Sequence, residues 1–236
     1  ECIYPARVYW LTKYYKKRLK LKDFTLKACV HLSLFMEDVD PPIISYIYIG
    51  PFMSNPASIM GHGLLMLKKP GRSHVINYAM GYSAHIPKDI DPYTYMRKGL
   101  LGGFRGAVKV EPFYHKIIEY SKIENRNMWD FDLNLTEEEV MFLTYHIWEL
   151  KRDEFFNYYF FDENCAYLLV ALIDLVRPSL DLLNQLSAMV LPNKIPELLH
   201  RNNLIRSEKY HPSYKESLLL SYDKLNERDK DFFLEN

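Results

Sequence analysis

At 236 residues, with 48% hydrophobic and 25% charged residues, the chain has the balance of a folded protein with one sizeable core, not of a disordered segment. Its 30 Lys and Arg cancel its 30 Asp and Glu, which argues against a general grip on phosphate backbones and so against nucleic acid as a partner. The longest strongly apolar stretch, Tyr167 to Val176, is too short to cross a bilayer and carries Asp174.

Val8 to Leu21 places Val8, Leu11, Tyr14, Tyr15 and Leu19 at helical spacing against a Lys/Arg-rich face, which predicts an amphipathic surface helix. Ile43 to Ile49 is β-branched and aromatic and predicts a strand ending at Gly50-Pro51. A hairpin is expected next, from Ile59 to Leu67, through the turn signal Lys69-Pro70-Gly71-Arg72, to His74 to Met80. A loop and a short helix near Tyr93 to Gly99 precede the glycines 99, 102, 103 and 106, whose spacing lacks a dinucleotide or phosphate-loop fingerprint and reads as a bent or mobile loop. Pro112 to Ser121 is predicted helical, and Met128 to Leu135 alternates like a half-buried strand. Thr136-Glu137-Glu138-Glu139 is a capping box that opens a helix to about Lys151. After the aromatic run Phe155 to Phe161, Asp162-Glu163-Asn164-Cys165 leads into a buried helix ending near Arg177-Pro178. Beyond it a helical wrap is expected, including a polar helix after Pro212.

Three cysteines leave one unpaired if two are bridged. Cys2 and Cys29 either form a disulfide, which would imply an oxidising compartment such as the periplasm, or remain two buried reduced thiols. Cys165 stands apart. Asn164 is a good N-cap and puts Cys165 in the first turn of its helix, where unpaired N–H groups and the macrodipole stabilise a thiolate and could also hold an oxyanion. His62 sits between Gly61 and Gly63 on an apolar strand, which leaves room for a partner to approach. Thiol and imidazole together are the pair that Cys/His nucleophilic catalysis needs. If the hairpin turns near Pro70-Gly71, Asn77 falls opposite His62 on the same face and would orient the imidazole. Glu124 and Arg126, near Trp129, could hold polar substrate groups or form a structural ion pair. The eight His lack ligand spacing, so neither a metal nor another cofactor is expected.

Several segments in order carry a resemblance: Glu1-Cys2-Ile3-Tyr4-Pro5-Ala6-Arg7, Asn55-Pro56-Ala57-Ser58-Ile59-Met60-Gly61-His62, Gly99-Leu100-Leu101-Gly102-Gly103, Glu124-Asn125-Arg126-Asn127-Met128-Trp129-Asp130 and Phe161-Asp162-Glu163-Asn164-Cys165-Ala166-Tyr167. Over nearly its whole length the chain resembles the periplasmic domain of the Lnb-type bacterial lipoprotein N-acyltransferases. Gly63 stands where a hydroxyl residue is common and Asn127 where Asp is usual. The resemblance implies an α+β fold with a small antiparallel sheet, in which the His strand precedes the Cys helix (permuted papain-like, NlpC/P60-like) and helices wrap the outside. It implies one catalytic domain over 1–236: an N-terminal helical segment (1–40), a papain-like core (41–178) and a C-terminal helical wrap (179–236). Cys165 and His62 carry over as the catalytic pair, and the matched motifs put forward Ser58, Asn164 and Tyr167 as substrate contacts beside Glu124 and Arg126. The implied reaction moves an acyl chain from phospholipid, through a Cys165 thioester, to the N-terminal amine of a lipoprotein in the cell envelope, with peripheral membrane contact. The alternatives are an NlpC/P60-like peptidoglycan amidase or endopeptidase acting on a peptide, and a non-catalytic envelope binding module with a silent Cys165.

Overall fold

The computed structural model describes residues 2–20, 29–39, 41–53, 58–69, 71, 73–152, 155–226 and 229–230; Glu1, Asn55, Pro56 and Ala57 of the motifs above, and Pro70 and Arg72 of the expected turn, lie outside them. The chain opens with α1 (Pro5–Leu19), where Pro5 suits the first helical turn because its missing N–H has no intrahelical partner there. The next two orphan donors, the Ala6 and Arg7 amides, donate to Glu149 Oε1 at 2.8 and 3.1 Å and fasten α1 to α5 (Glu137–Leu150). A Cys2–Cys29 disulfide, with Cα atoms 5.3 Å apart, ties the start of α1 to the start of α2 (Val30–Val39). Of the two options the sequence left open, the bridge is the one formed.

The centre is one open, wholly antiparallel sheet of seven strands in the order β6-β4-β3-β2-β1-β5-β7. Its strands are β1 (Ile43–Ile49), β2 (His62–Lys68), β3 (Tyr78–His85), β4 (Phe104–Pro112), β5 (Met128–Leu133), β6 (Phe155–Tyr158) and β7 (Ile205–His211). Between β3 and β4 lies α3 (Pro92–Leu101), capped by Asp91, whose side chain accepts from the Thr94 amide at 2.9 Å. The middle strands are covered on both sides. One face packs with α5 and α6 (Cys165–Val176) into the main core, built around Tyr46, Leu65, Leu67, Leu143, Ile147 and Leu169. The other face holds a smaller cluster, Ile47, Ile49, Leu64 and Met66 under Phe113 and Tyr120.

Two expectations are corrected. The sheet is not small, because β4, β6 and β7 join it. Residues 179–236 are not an all-helical wrap: between α7 (Ile195–Arg201) and α8 (Tyr214–Tyr222), β7 pairs with β5 along that edge. Pro112 to Ser121 is helical as expected, though not as one α-helix. A single turn, α4 (Phe113–Lys116), passes into a π-helix over Ile117–Ile123, with the Glu124 amide reaching back five residues to the Glu119 carbonyl at 3.1 Å. The α5 capping box is present as expected, the Thr136 amide donating to Glu139 Oε2 at 2.7 Å and the Glu139 amide to Thr136 Oγ1 at 3.3 Å. Among the described residues, no helix is long and apolar enough to cross a membrane.

Candidate active site

Cys165 is the first residue of α6, and Asn164 caps that helix. The Asn164 side chain is fully engaged: its Oδ1 accepts from the Ala166 and Tyr167 amides (2.9 and 3.2 Å), and its Nδ2 donates to the Phe160 and Val190 carbonyls (3.1 and 2.7 Å). Two consequences correct the sequence reading. Asn164 is a buried structural cap with no group to spare for a substrate, and the Ala166 and Tyr167 amides are already spent, so they cannot hold an oxyanion.

The sulfur lies where two strands part. Residue pairing between β2 and β3 stops at Leu64–Gly81, while β2 continues along β1 to His62 and β3 continues along β4 to His85. In that gap the Gly63 amide and the Tyr158 hydroxyl face the thiol, with the Ala166 and Cys165 amides also beside the sulfur, and each favours the thiolate; the Tyr158 hydroxyl also meets the Cys165 amide. Burial nevertheless dominates and pushes the Cys165 thiol above its ordinary value; the hydrogen bonds only partly offset it. Tyr46 and Tyr82 complete the surround with hydroxyls donating to the Pro192 and Asn157 carbonyls at 3.1 and 3.3 Å. The opening above the sulfur, walled by Met60, Gly61, Phe160, Phe161 and Leu191, encloses only about 10 Å³, room for about one water.

His62 lies next to Gly63 in the chain but on the other face of the sheet. A Cβ added to Gly63 would meet Tyr46 Oη at 2.8 Å and Leu169 Cδ1 at 3.1 Å, which puts that position toward α6. Its neighbour His62, paired with Ile49 and in step with Leu64, therefore turns toward the smaller cluster, where its ring centroid is 6.1 Å from that of Tyr120. No hydrogen bond joins His62 to Cys165. Burial, with the nearby cations Arg126 and Lys116, pulls the imidazole down to about 3, so it is neutral at physiological pH.

Asn77 is not the orienting residue. Leu67 pairs with Tyr78, because residues 74–76 form a 3₁₀ turn inside the connection, so Asn77 sits beyond the far end of β2, about 20 Å from His62 at about 3.3 Å per residue. Its Oδ1 accepts from the Lys69 amide at 3.0 Å. Glu124 and Arg126 form the structural ion pair, at 2.8 Å; the buried guanidinium also donates to the Gly50 and Ile49 carbonyls at 2.6 and 3.4 Å and lies over the Tyr120 ring at 4.9 Å. The Ser58 carbonyl accepts from the Phe52 and Gly61 amides, both at 3.0 Å, and so shapes the approach to His62. Tyr167 is half-buried against the main core. The sequence reading missed Tyr158 and the Gly63 amide, two of the groups beside the sulfur. Tyr158 lay unmarked in an aromatic run, and an amide carries no side-chain signal.

A free thiol heading a buried helix against one antiparallel sheet, in a domain closed by a disulfide, defines an extracytoplasmic α+β domain with a candidate thiol site. The model of the Lnb N-terminal periplasmic domain matches residues 33–202, and the chain belongs to that family. The family is periplasmic, in keeping with the disulfide. No curated protein and no solved structure matches the chain.

Proposed function

We propose that this domain is a cysteine-dependent acyltransferase of the envelope, with the Cys helix and His strand acting as a permuted papain-like core. The thiolate of Cys165 attacks the ester carbonyl of a phospholipid, and the acyl C–O bond breaks as the lysolipid alcohol leaves with a proton. The N-terminal amine of a lipoprotein then attacks the thioester, the C–S bond breaks, and the amine's proton returns through a base to regenerate the thiol. The observation that carries this reading is the free thiol at the start of α6, faced by the Gly63 amide and the Tyr158 hydroxyl. The Cys165 amide and the Tyr158 hydroxyl adjoin the sulfur, and in this reading they turn from each other to the oxyanion as it forms. Met60, Phe160, Phe161, Val190 and Leu191 around the opening offer an acyl chain apolar contacts.

His62 serves as the base in this reading only after a rearrangement. It is the first residue of β2 and follows Gly61, whose φ of +90° is open to glycine and strained for other residues, so the turn of chain that would carry the ring round is short. The closed sulfur and the neutral, separated His62 favour a second reading, a binding module in which Cys165 is silent. Intact-mass measurement after incubation with phosphatidylethanolamine vesicles separates the two. Acyl transfer requires an acyl adduct on the wild type that disappears in Cys165→Ala and diminishes in His62→Gln. A wild type that neither gains the adduct nor acylates a diacylglyceryl-cysteine peptide would leave the binding module as the surviving reading.

A further inference from the structure

The basic residues are unevenly spread. Across Pro5–Leu19, α1 carries Arg7, Lys13, Lys16, Lys17 and Arg18 and no acidic residue, within a chain whose charges cancel. Its first half is held by the domain, through Glu149 on the Ala6 and Arg7 amides and Glu138 on the Tyr9 hydroxyl at 2.6 Å. α1 runs from Glu149 toward Glu138, near the start of α5, where Lys13 also pairs with Glu138. Apolar side chains are left in water there: Tyr14 is 61% exposed, Leu19 50% and Trp10 43%, with Leu11 and Tyr15 beside them. At about 100° per residue these five span one half of the helix surface, on which Arg7 and Arg18 also lie, with Lys13, Lys16, Lys17 and Lys20 on the other. Beside the helix lies a groove of about 260 Å³, lined by Trp10, Tyr14, Leu175, Val176 and Pro178 and, in its polar part, by Lys13, Glu138 and Glu139.

We propose that α1 is a docking helix for the surface of an anionic lipid bilayer. Aromatic rings with an apolar body and polar tip settle at headgroup depth, the leucines enter the acyl boundary, and Lys17, Arg18 and Lys20 at the end of the helix meet lipid phosphates, while Lys13 stays paired with Glu138. A soluble acidic partner would satisfy the charge and leave Leu11 and Leu19 exposed to water; a bilayer covers them. The proposal does not depend on any reaction at Cys165.

Flotation of the full chain with vesicles is the test, comparing phosphatidylglycerol–phosphatidylethanolamine with pure phosphatidylcholine. Binding is expected to the anionic vesicles, weakening as salt shortens the screening length. Lys17→Gln with Arg18→Gln should weaken it about twenty-five-fold, at about fivefold per removed cation near the surface. Leu11→Ser with Tyr14→Ser should abolish it, while circular dichroism shows both variants folded, since these side chains are exposed. Of the 3 Trp, Trp10 is the exposed one, so vesicles should blue-shift an emission component that Trp10→Phe lacks. Equal binding to neutral vesicles, no binding to anionic ones, unweakened binding by either variant pair, or capture by heparin but not by vesicles would each overturn the proposal.

Discussion

Replacing Asn164 with alanine distinguishes a cap from a substrate contact, because the four hydrogen bonds of that side chain make its structural cost calculable. Loss of the cap oxygen on the Ala166 and Tyr167 amides should cost about 1 kcal/mol. The Phe160 and Val190 carbonyls, buried with their donor gone, add about 1–3 kcal/mol each. The sum, roughly 3–7 kcal/mol, corresponds to a fall of at least about 6 °C in melting temperature, at about 2–4 °C per kcal/mol for a domain of this size. Differential scanning calorimetry of Asn164→Ala reads it directly. Asn164→Asp sharpens the argument: it keeps the cap oxygen and gains from the helix dipole, but it turns a carboxylate toward two carbonyl oxygens. Its folded-state pKa is then raised above the unfolded value, so its deficit should be smallest in acid and grow as pH rises through the carboxylate range. An Asn164→Ala protein that melts with the wild type yet loses acyl transfer would refute the structural assignment and restore Asn164 as a substrate contact.

The Cys165 thiol is raised by burial, so the unfolded chain releases that proton first, and stability should fall as pH climbs past the ordinary thiol range; Cys165→Ala should flatten this slope in urea titrations, and an unchanged slope would contradict the burial argument. His62, lowered to about 3 in the folded protein, contributes stability that is fully present above its unfolded value near 6.5 and is lost as pH falls from there toward about 3. In NMR its ring protons should not titrate between pH 8 and about 5, and a midpoint near 6.5 would show the ring is solvated. Reducing the Cys2–Cys29 bridge, which spans 27 residues, should cost about 3–4 kcal/mol in the loop-entropy account, seen as a lower urea midpoint with dithiothreitol that Cys2→Ser with Cys29→Ser reproduces.

Where a local rule acts alone, the sequence reading matches the structure: β1 over Ile43–Ile49, the Thr136 capping box and the Asn164 cap rest on chemistry within a few residues. It fails where position depends on partners far along the chain. β7 is an edge strand with five of its seven residues exposed, so it shows no buried alternation to find. The face of His62 was hidden for the opposite reason. Leu64, Leu65, Met66 and Leu67 are buried on both sides of the sheet, and a strand without alternation does not say which way its first residue turns. The Asn77 assignment assumed a tight turn, and the 3₁₀ segment at His74–Ile76 moved the register by six residues, since His62 falls in line with position 83 and not 77.

The separation of thiol and imidazole follows from their surroundings. Moving the Cys165 proton to His62 in this arrangement would create a thiolate in a niche of tyrosines and aliphatic groups, and an imidazolium beside the fixed guanidinium of Arg126 and near Lys116. Both charges would be desolvated, on opposite faces of β2, without the mutual attraction that rewards an ion pair in contact. The resting pair is therefore neutral. In the acyl-transfer reading this has a chemical use, because the compartment that oxidises Cys2 and Cys29 to a disulfide would also oxidise an exposed thiolate. A thiol held protonated under Phe160, Phe161 and Leu191 until a lipid parts them is spared that reaction, so the closure that argues against an activated cysteine at rest is also what a reactive cysteine requires in the periplasm.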